Sequence, residues 1–219
     1  MPPSQLGVKS ALRAPRRLAA RVLDRFAWFD SWKLKRVAAR RRSFVEQFLA
    51  PIGGVGAELG VFKGHFTAEL MQTANPTLLY AVDPWHLLSP TWPWAAGRKS
   101  TVDGLADVYR RNRVHVESGQ LRVHVADDLV FLAALPDEAL DWAYVDSSHW
   151  YEHTVDELSL LKTKVRPGGL ITGDDWHDDS SHRHGGVGRA VREFVASHHA
   201  ELLYSDDTTM QWAVRLPAP

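Results

Sequence analysis

The chain has 219 residues, with 26 basic and 26 acidic side chains, 45% hydrophobic residues and no cysteine. That balance describes one globular domain, or one domain with a short extension, and excludes a disordered or fibrous protein. Without cysteine, a disulfide scaffold, a thiolate zinc site, an iron–sulfur cluster and a cysteine nucleophile are all excluded, so any metal must use oxygen or imidazole ligands.

The zero net charge hides an asymmetry. Residues 1–50 hold 12 Lys and Arg against 3 Asp and Glu, while the remainder holds 14 against 23. A basic arm of this kind serves a nucleic-acid or membrane contact, an anionic substrate, or docking on the acidic body of the same chain. Docking is the first reading, because no base-reading motif accompanies the arginines. No run reaches the roughly 18 apolar residues of a membrane span and no secretory signal opens the chain, so a cytoplasmic protein is expected. An Arg-rich, acid-poor start also suits an organellar transit peptide, against which stand Trp28 and Trp32, residues suited to packing.

In chain order, apolar residues recur at helical spacing at Leu18, Val22 and Phe26, then at Leu34, Val37, Val45 and Phe48, which predicts two basic amphipathic helices. Pro51 and Gly53-Gly54 end that pattern, so residues 1–50 read as a helical extension and 51–219 as the main domain. Short apolar runs then alternate with helix-period stretches. Strands are expected at Gly56–Leu59, Leu78–Val82, Leu121–Val125, Asp141–Val145 and Leu170–Thr172. Helices start near Gly64, Val102, Asp128, Tyr151 and Gly186, and Glu201–Tyr204 and Gln211–Leu216 form a closing hairpin. This is an α/β architecture: a doubly wound, seven-stranded, Rossmann-like sheet with helices on both faces and an antiparallel last pair. Ligands of such sheets sit beyond the carboxyl ends of the strands, so those ends carry the chemistry.

After the first strand, Glu58-x-Gly60-x-x-x-Gly64 leads into a helix opening His65-Phe66-Thr67. Glycines there admit a close backbone approach, but the spacing departs from the dinucleotide pattern, and plain turn-making accounts for it equally well. The second strand ends at Asp83, where a carboxylate meets ribose hydroxyls, and the third at Asp127-Asp128, near an adenine. Helix capping is the competing role for each aspartate. Together these acidic ends favour a nucleoside without phosphates. Glu58, Gly60, Gly64, Thr67, Asp83, Asp127 and Asp128 are the candidate cofactor-binding residues. The fourth strand delivers Asp146-Ser147-Ser148-His149 and the fifth Asp174-Asp175-Trp176. Carboxylates that close repel unless a cation neutralises them, and all-oxygen ligation suits Mg²⁺, with Mn²⁺ or Ca²⁺ as alternatives. His149 is placed to act as a general base near neutral pH. Five tryptophans follow strand ends (Trp85, Trp92, Trp94, Trp150 and Trp176) and could wall the site, whereas Trp142 and Trp212 sit within strands. The His177–Gly186 stretch reads as a solvated loop.

Four segments, Glu58-x-Gly60-x-x-x-Gly64, Tyr80–Trp85, Val145–Tyr151 and Val165–Trp176, resemble class I S-adenosylmethionine-dependent methyltransferases. More narrowly they resemble the macrocin O-methyltransferase group, which methylates sugar hydroxyls with Mg²⁺. The resemblance implies that Glu58, Gly60 and Gly64 line the methionine end of S-adenosylmethionine, Asp83 holds its ribose and Asp127 lies near its adenine. It further implies that Asp146, Asp174 and Asp175 bind the metal, that His149 and Asp146 carry the catalysis, and that the partner is a small-molecule hydroxyl acceptor. By analogy it also favours a homo-oligomer. The alternatives are a metal-dependent catechol or phenol O-methyltransferase, a metallohydrolase, and a non-catalytic cofactor-binding scaffold.

Overall fold

The computed structural model describes residues 27–85, 101–179, 182 and 185–218. The expected helix through Leu18, Val22 and Phe26, and Trp92 and Trp94, lie outside them. Helix α1 spans Ala27–Arg40 and α2 spans Arg42–Phe48, with Arg41 at the joint. Strand β1 is Val55–Leu59, α3 His65–Thr73, β2 Leu78–Asp83, α4 Thr101–Arg111, α5 Arg113–Glu117 and β3 Leu121–Val125. There follow α6 (Asp128–Ala134), β4 (Leu140–Val145), α7 (Tyr151–Lys164), β5 (Val165–Gly173), α8 (Gly185–His198), β6 (Glu201–Asp206) and β7 (Gln211–Arg215).

The strands form one seven-stranded sheet in the order β3-β2-β1-β4-β5-β7-β6. All pairings from β3 to β5 are parallel, and β7 runs antiparallel to both β5 and β6. The strand order reverses between β1 and β4, which opens a crevice at their carboxyl ends. This is the expected doubly wound sheet with its closing hairpin. No helix among the described residues is long and apolar enough to cross a membrane.

Two apolar cores cover the two faces of the sheet. On one, Phe131 and Leu132 of α6, Leu158 and Leu161 of α7, and Val187, Val191 and Phe194 of α8 pack on Leu59, Val145 and Ile171. On the other, Phe44 and Val45 of α2, Leu49, Phe66 and Leu70 of α3, and Val108 of α4 pack on Leu79, Tyr144 and Ala213. Burial of Phe44, Val45 and Leu49 contributes about 1.5–3 kcal/mol each and is what seats α2. The Arg42–Glu69 pair at 2.5 Å adds little, because Arg42 is exposed.

Two elements differ from the sequence expectation. The helix expected from Val102 breaks at Asn112, whose side-chain amide donates to Gly64 O at 3.3 Å and Val108 O at 3.1 Å, and resumes as α5. Strand β5 starts at Val165 rather than Leu170, because the ladder tolerates Pro167-Gly168-Gly169 through a register shift opposite Leu140–Trp142. Trp142 and Trp212 are fully buried within their strands, as expected of core residues.

Candidate active site

A cavity of about 610 Å³ opens at the carboxyl ends of β1, β2, β4 and β5. Leu34, Val37, Ala38 and Arg41 of the N-terminal helices form one side of it. Glu58, Gly60, Asp83, Asp127, Asp128, Asp146, His149, Asp174 and Asp175 all border it, so the fold gathers nearly all the candidate residues from five separate segments. Gly64 and Thr67 are not among its lining residues. Trp85 and Trp150 form part of the wall, whereas Trp176 is not among the lining residues and is buried in the core.

The cofactor candidates differ in how they act. Glu58 is buried and accepts the Thr67 hydroxyl at 2.6 Å, so Thr67 bears on the cavity only through Glu58. Burial pushes the Glu58 carboxyl up to about 8; the Thr67 bond opposes the rise, and nearby Asp146 adds to it. Gly60 has φ of 88°, and a Cβ on it would stand 2.0 Å from the Asp146 carbonyl oxygen. Its glycine is therefore demanded by the crossing of the β1 and β4 loops, where the sequence reading had a ligand approach in view. Gly64 adopts a left-handed conformation at the start of α3, which is the turn-making role.

Asp83 accepts Val61 N–H at 3.0 Å and Phe62 N–H at 2.9 Å on one oxygen and Trp85 N–H at 2.8 Å on the other. It thus clamps the β1 loop against the end of β2. A ribose hydroxyl would use the lone pairs that remain. Asp127 caps α6, accepting Leu129 and Val130 amides at 3.0 and 3.3 Å, so the capping role named for it is realised. Asp128 is buried and holds His153 Nε2 at 3.0 Å. Behind them the fully buried Glu157 accepts the Ser147 hydroxyl at 2.6 Å. Burial and the neighbouring Asp128 charge push the Glu157 carboxyl well above the ordinary carboxylate range. Sequence reading missed His153 and Glu157. Their spacing of four on one helix, facing the Asp127-Asp128 strand end, was the available signal.

His149 Nδ1 meets Asp175 Oδ2 at 2.7 Å. Burial lowers the imidazole pKa, but the Asp175 hydrogen bond and the charges of Asp146, Asp175 and Asp174 outweigh it and raise the pKa above the ordinary value. With Nδ1–H given to Asp175, Nε2 is the basic nitrogen. His149 and Asp175 both have left-handed backbones, φ of 62° and 59°, a conformation that surrounding structure must hold for non-glycine residues. Both loops are held: Asp146 N–H donates to Leu59 O at 2.8 Å and Asp174 N–H to Val145 O at 3.0 Å.

The sequence reading missed Arg41. Its guanidinium donates to Asp146 Oδ2 at 2.6 Å and to Asp174 Oδ2, and it lies 4.9 Å from the Phe66 ring centroid and 5.7 Å from that of Tyr144. The charge asymmetry of the chain was its signal, and docking on the acidic body is what Arg41 does. The other Asp174 oxygen accepts the Gln211 amide. Asp146, His149 and Asp175 offer ligand atoms within 4.8 Å of one another. As folded, the aspartates expected to bind Mg²⁺ are engaged by the chain's own groups: Asp146 and Asp174 share Arg41, and Asp175 holds His149.

The sheet order and the crevice at the strand ends define a doubly wound, Rossmann-like α/β fold. A family model described as a methyltransferase domain matches residues 57–176, and the chain belongs to that family. No curated protein matches in sequence. An O-methyltransferase family protein from Burkholderia thailandensis superposes with a TM-score of 0.58 at 11% identity, over 84% of this chain and 57% of its own. The chain therefore spans little more than half the length of that protein. An N-methyltransferase, NodS, from Bradyrhizobium japonicum WM9 gives 0.55 at 15% identity, over 83% and 97% of the two chains. A 1,6-didemethyltoxoflavin-N1-methyltransferase from Burkholderia thailandensis, solved with S-adenosylhomocysteine, gives 0.52 at 14% identity, over 99% and 92%. At these identities the likeness is one of fold.

Proposed function

We propose that this protein transfers the methyl group of S-adenosylmethionine to a hydroxyl of a small molecule, with a sugar of a natural product or glycoconjugate as the acceptor class. The observation that carries the reading is one cavity bordered by Glu58, Asp83 and Asp127-Asp128 together with a His149–Asp175 pair. The first set suits a cationic nucleoside; the pair suits removal of a hydroxyl proton. In the reaction the acceptor oxygen forms a bond to the methyl carbon. The carbon–sulfur bond breaks with its electron pair going to sulfur, and the hydroxyl proton goes to His149 Nε2. Asp175 orients the imidazole and stabilises its protonated form. The apolar wall of Leu34, Val37, Phe66 and Trp85 limits access of competing water.

A second reading, methyl transfer assisted by Mg²⁺ on a sugar or catechol oxygen, is favoured by the grouping of Asp146, His149 and Asp175. It requires Arg41 to leave Asp146. The neighbours' reactions on nitrogen and oxygen do not choose the acceptor, and a screen of sugars against catechols does.

The cofactor is tested by calorimetric titration of S-adenosylmethionine into the full chain. Glu58, raised to about 8, is mostly protonated at pH 7. The cationic ligand favours its ionised form, so binding releases up to one proton. Titrations at pH 7 in two buffers of different ionisation heat are expected to show that release, and Glu58→Gln is expected to abolish it. Absence of binding heat at two temperatures would remove the methyltransferase mechanism from this cavity.

A further inference from the structure

We propose that Arg41 is the resident cation of the Asp146–Asp174–Asp175 cluster and stands in place of a divalent metal. The inference rests on the reading of the cavity as a methyl-transfer site and names the charge that its carboxylates are built around. Close carboxylates need a counter-charge, and a buried guanidinium with matched donors supplies one.

The seat is fitted to a guanidinium on every side. Asp146 and Asp174 accept its two terminal nitrogens, and the rings of Phe66 and Tyr144 lie within cation–π range. The Arg41 side chain is 11% exposed. The carboxylates are themselves held toward it. Gln211 donates to the second oxygen of Asp174, and Trp212 Nε1 donates to the Asp174 carbonyl at 3.0 Å. Gln211 is fixed in turn by the Tyr144 hydroxyl at 2.6 Å. Asp146 is fixed by the close crossing with Gly60.

Nor is Arg41 a swinging surface side chain. It is the joint between α1 and α2, its N–H bonds to Ala38 O at 3.0 Å, and the buried Val45 and Leu49 hold α2 behind it. A hydrated Mg²⁺ sheds water reluctantly and demands near-octahedral oxygen geometry. To enter, it would have to expel a guanidinium already bonded to two of the three carboxylates. Arg41 borders the same cavity as His149 and stays charged at every working pH.

The test uses the full chain loaded with S-adenosylhomocysteine, whose binding is first measured by calorimetry. Mn²⁺ is then titrated and read by electron paramagnetic resonance, and melting is followed with and without Mg²⁺. The wild-type chain is expected to take up no Mn²⁺ at roughly millimolar metal, and Mg²⁺ should not move its Tm. Arg41→Gln is expected to melt lower, to bind about one Mn²⁺, and to regain Tm with Mg²⁺ because the ion binds only the folded state. Stoichiometric uptake by the wild-type chain overturns the proposal, and so does a folded Arg41→Gln that takes up no metal. Should Arg41→Gln fail to fold, the wild-type titration alone decides. Failure of S-adenosylhomocysteine to bind strikes the cofactor reading instead and leaves the metal result standing.

Discussion

His149→Ala is expected to lower turnover by about 10²–10⁴-fold while leaving S-adenosylhomocysteine binding intact, because the acceptor hydroxyl loses its proton acceptor and the cofactor contacts are untouched. The His149 pKa is raised by Asp175, Asp146 and Asp174 against the effect of burial. A base works in its neutral form, so the rate should rise with pH and level off above an inflection higher than 6.5. Asp175→Asn should move that inflection down, since the carboxylate that stabilises the imidazolium is gone, and should cost turnover by misplacing the Nδ1 proton. Measurements are single-turnover rates from pH 5.5 to 9 with whichever acceptor the screen returns. A His149→Ala rate close to wild type would remove the histidine from the chemistry.

The second large effect is on stability. Gly60→Ala puts a Cβ 2.0 Å from the Asp146 carbonyl oxygen and 2.5 Å from its carbon, at φ of 88°. Neither neighbour is the end of a flexible side chain, so the β1 and β4 loops must part. Backbone strain and overpacking each cost about 1–3 kcal/mol, and together they predict a loss of about 3 kcal/mol or more. Gly119→Ala is the control. It has φ of 78° with nothing within 4 Å of the added carbon, so it should show the conformational strain alone, about 1 kcal/mol. Urea unfolding of the two variants separates the effects. Equal losses would show that the crossing at Gly60 yields and that φ is the whole cost.

Both predictions turn on how segments distant in sequence meet. The strand ends were legible because each is a local event: an apolar run stops and an acidic residue follows, as at Val82-Asp83 and Val145-Asp146. The doubly wound architecture with its closing hairpin was legible because strands alternating with crossover helices leave few ways to wind a sheet, whereas the strand order itself came from the structure. Asp127 as a cap was legible as one of two roles, since capping is decided within three residues of chain. Boundaries failed where the local signal misleads, as at Pro167-Gly168-Gly169, turn residues that the ladder nonetheless carries.

What the sequence determined by itself, then, is the α/β winding, the crevice and the roster of acidic strand ends, all set by periodicity and by short-range chemistry. What only the tertiary structure decided is which charges those ends meet. Arg41 lies 105 residues from Asp146 and 133 from Asp174, and no pattern along the chain pairs them. His149 is aimed by Asp175 from another strand end, Thr67 serves the site only through Glu58, and Gly60 is a glycine because Asp146 passes over it. The physical reason is the same in each case: Coulomb attraction and steric exclusion act through space, and the folded chain alone sets those distances.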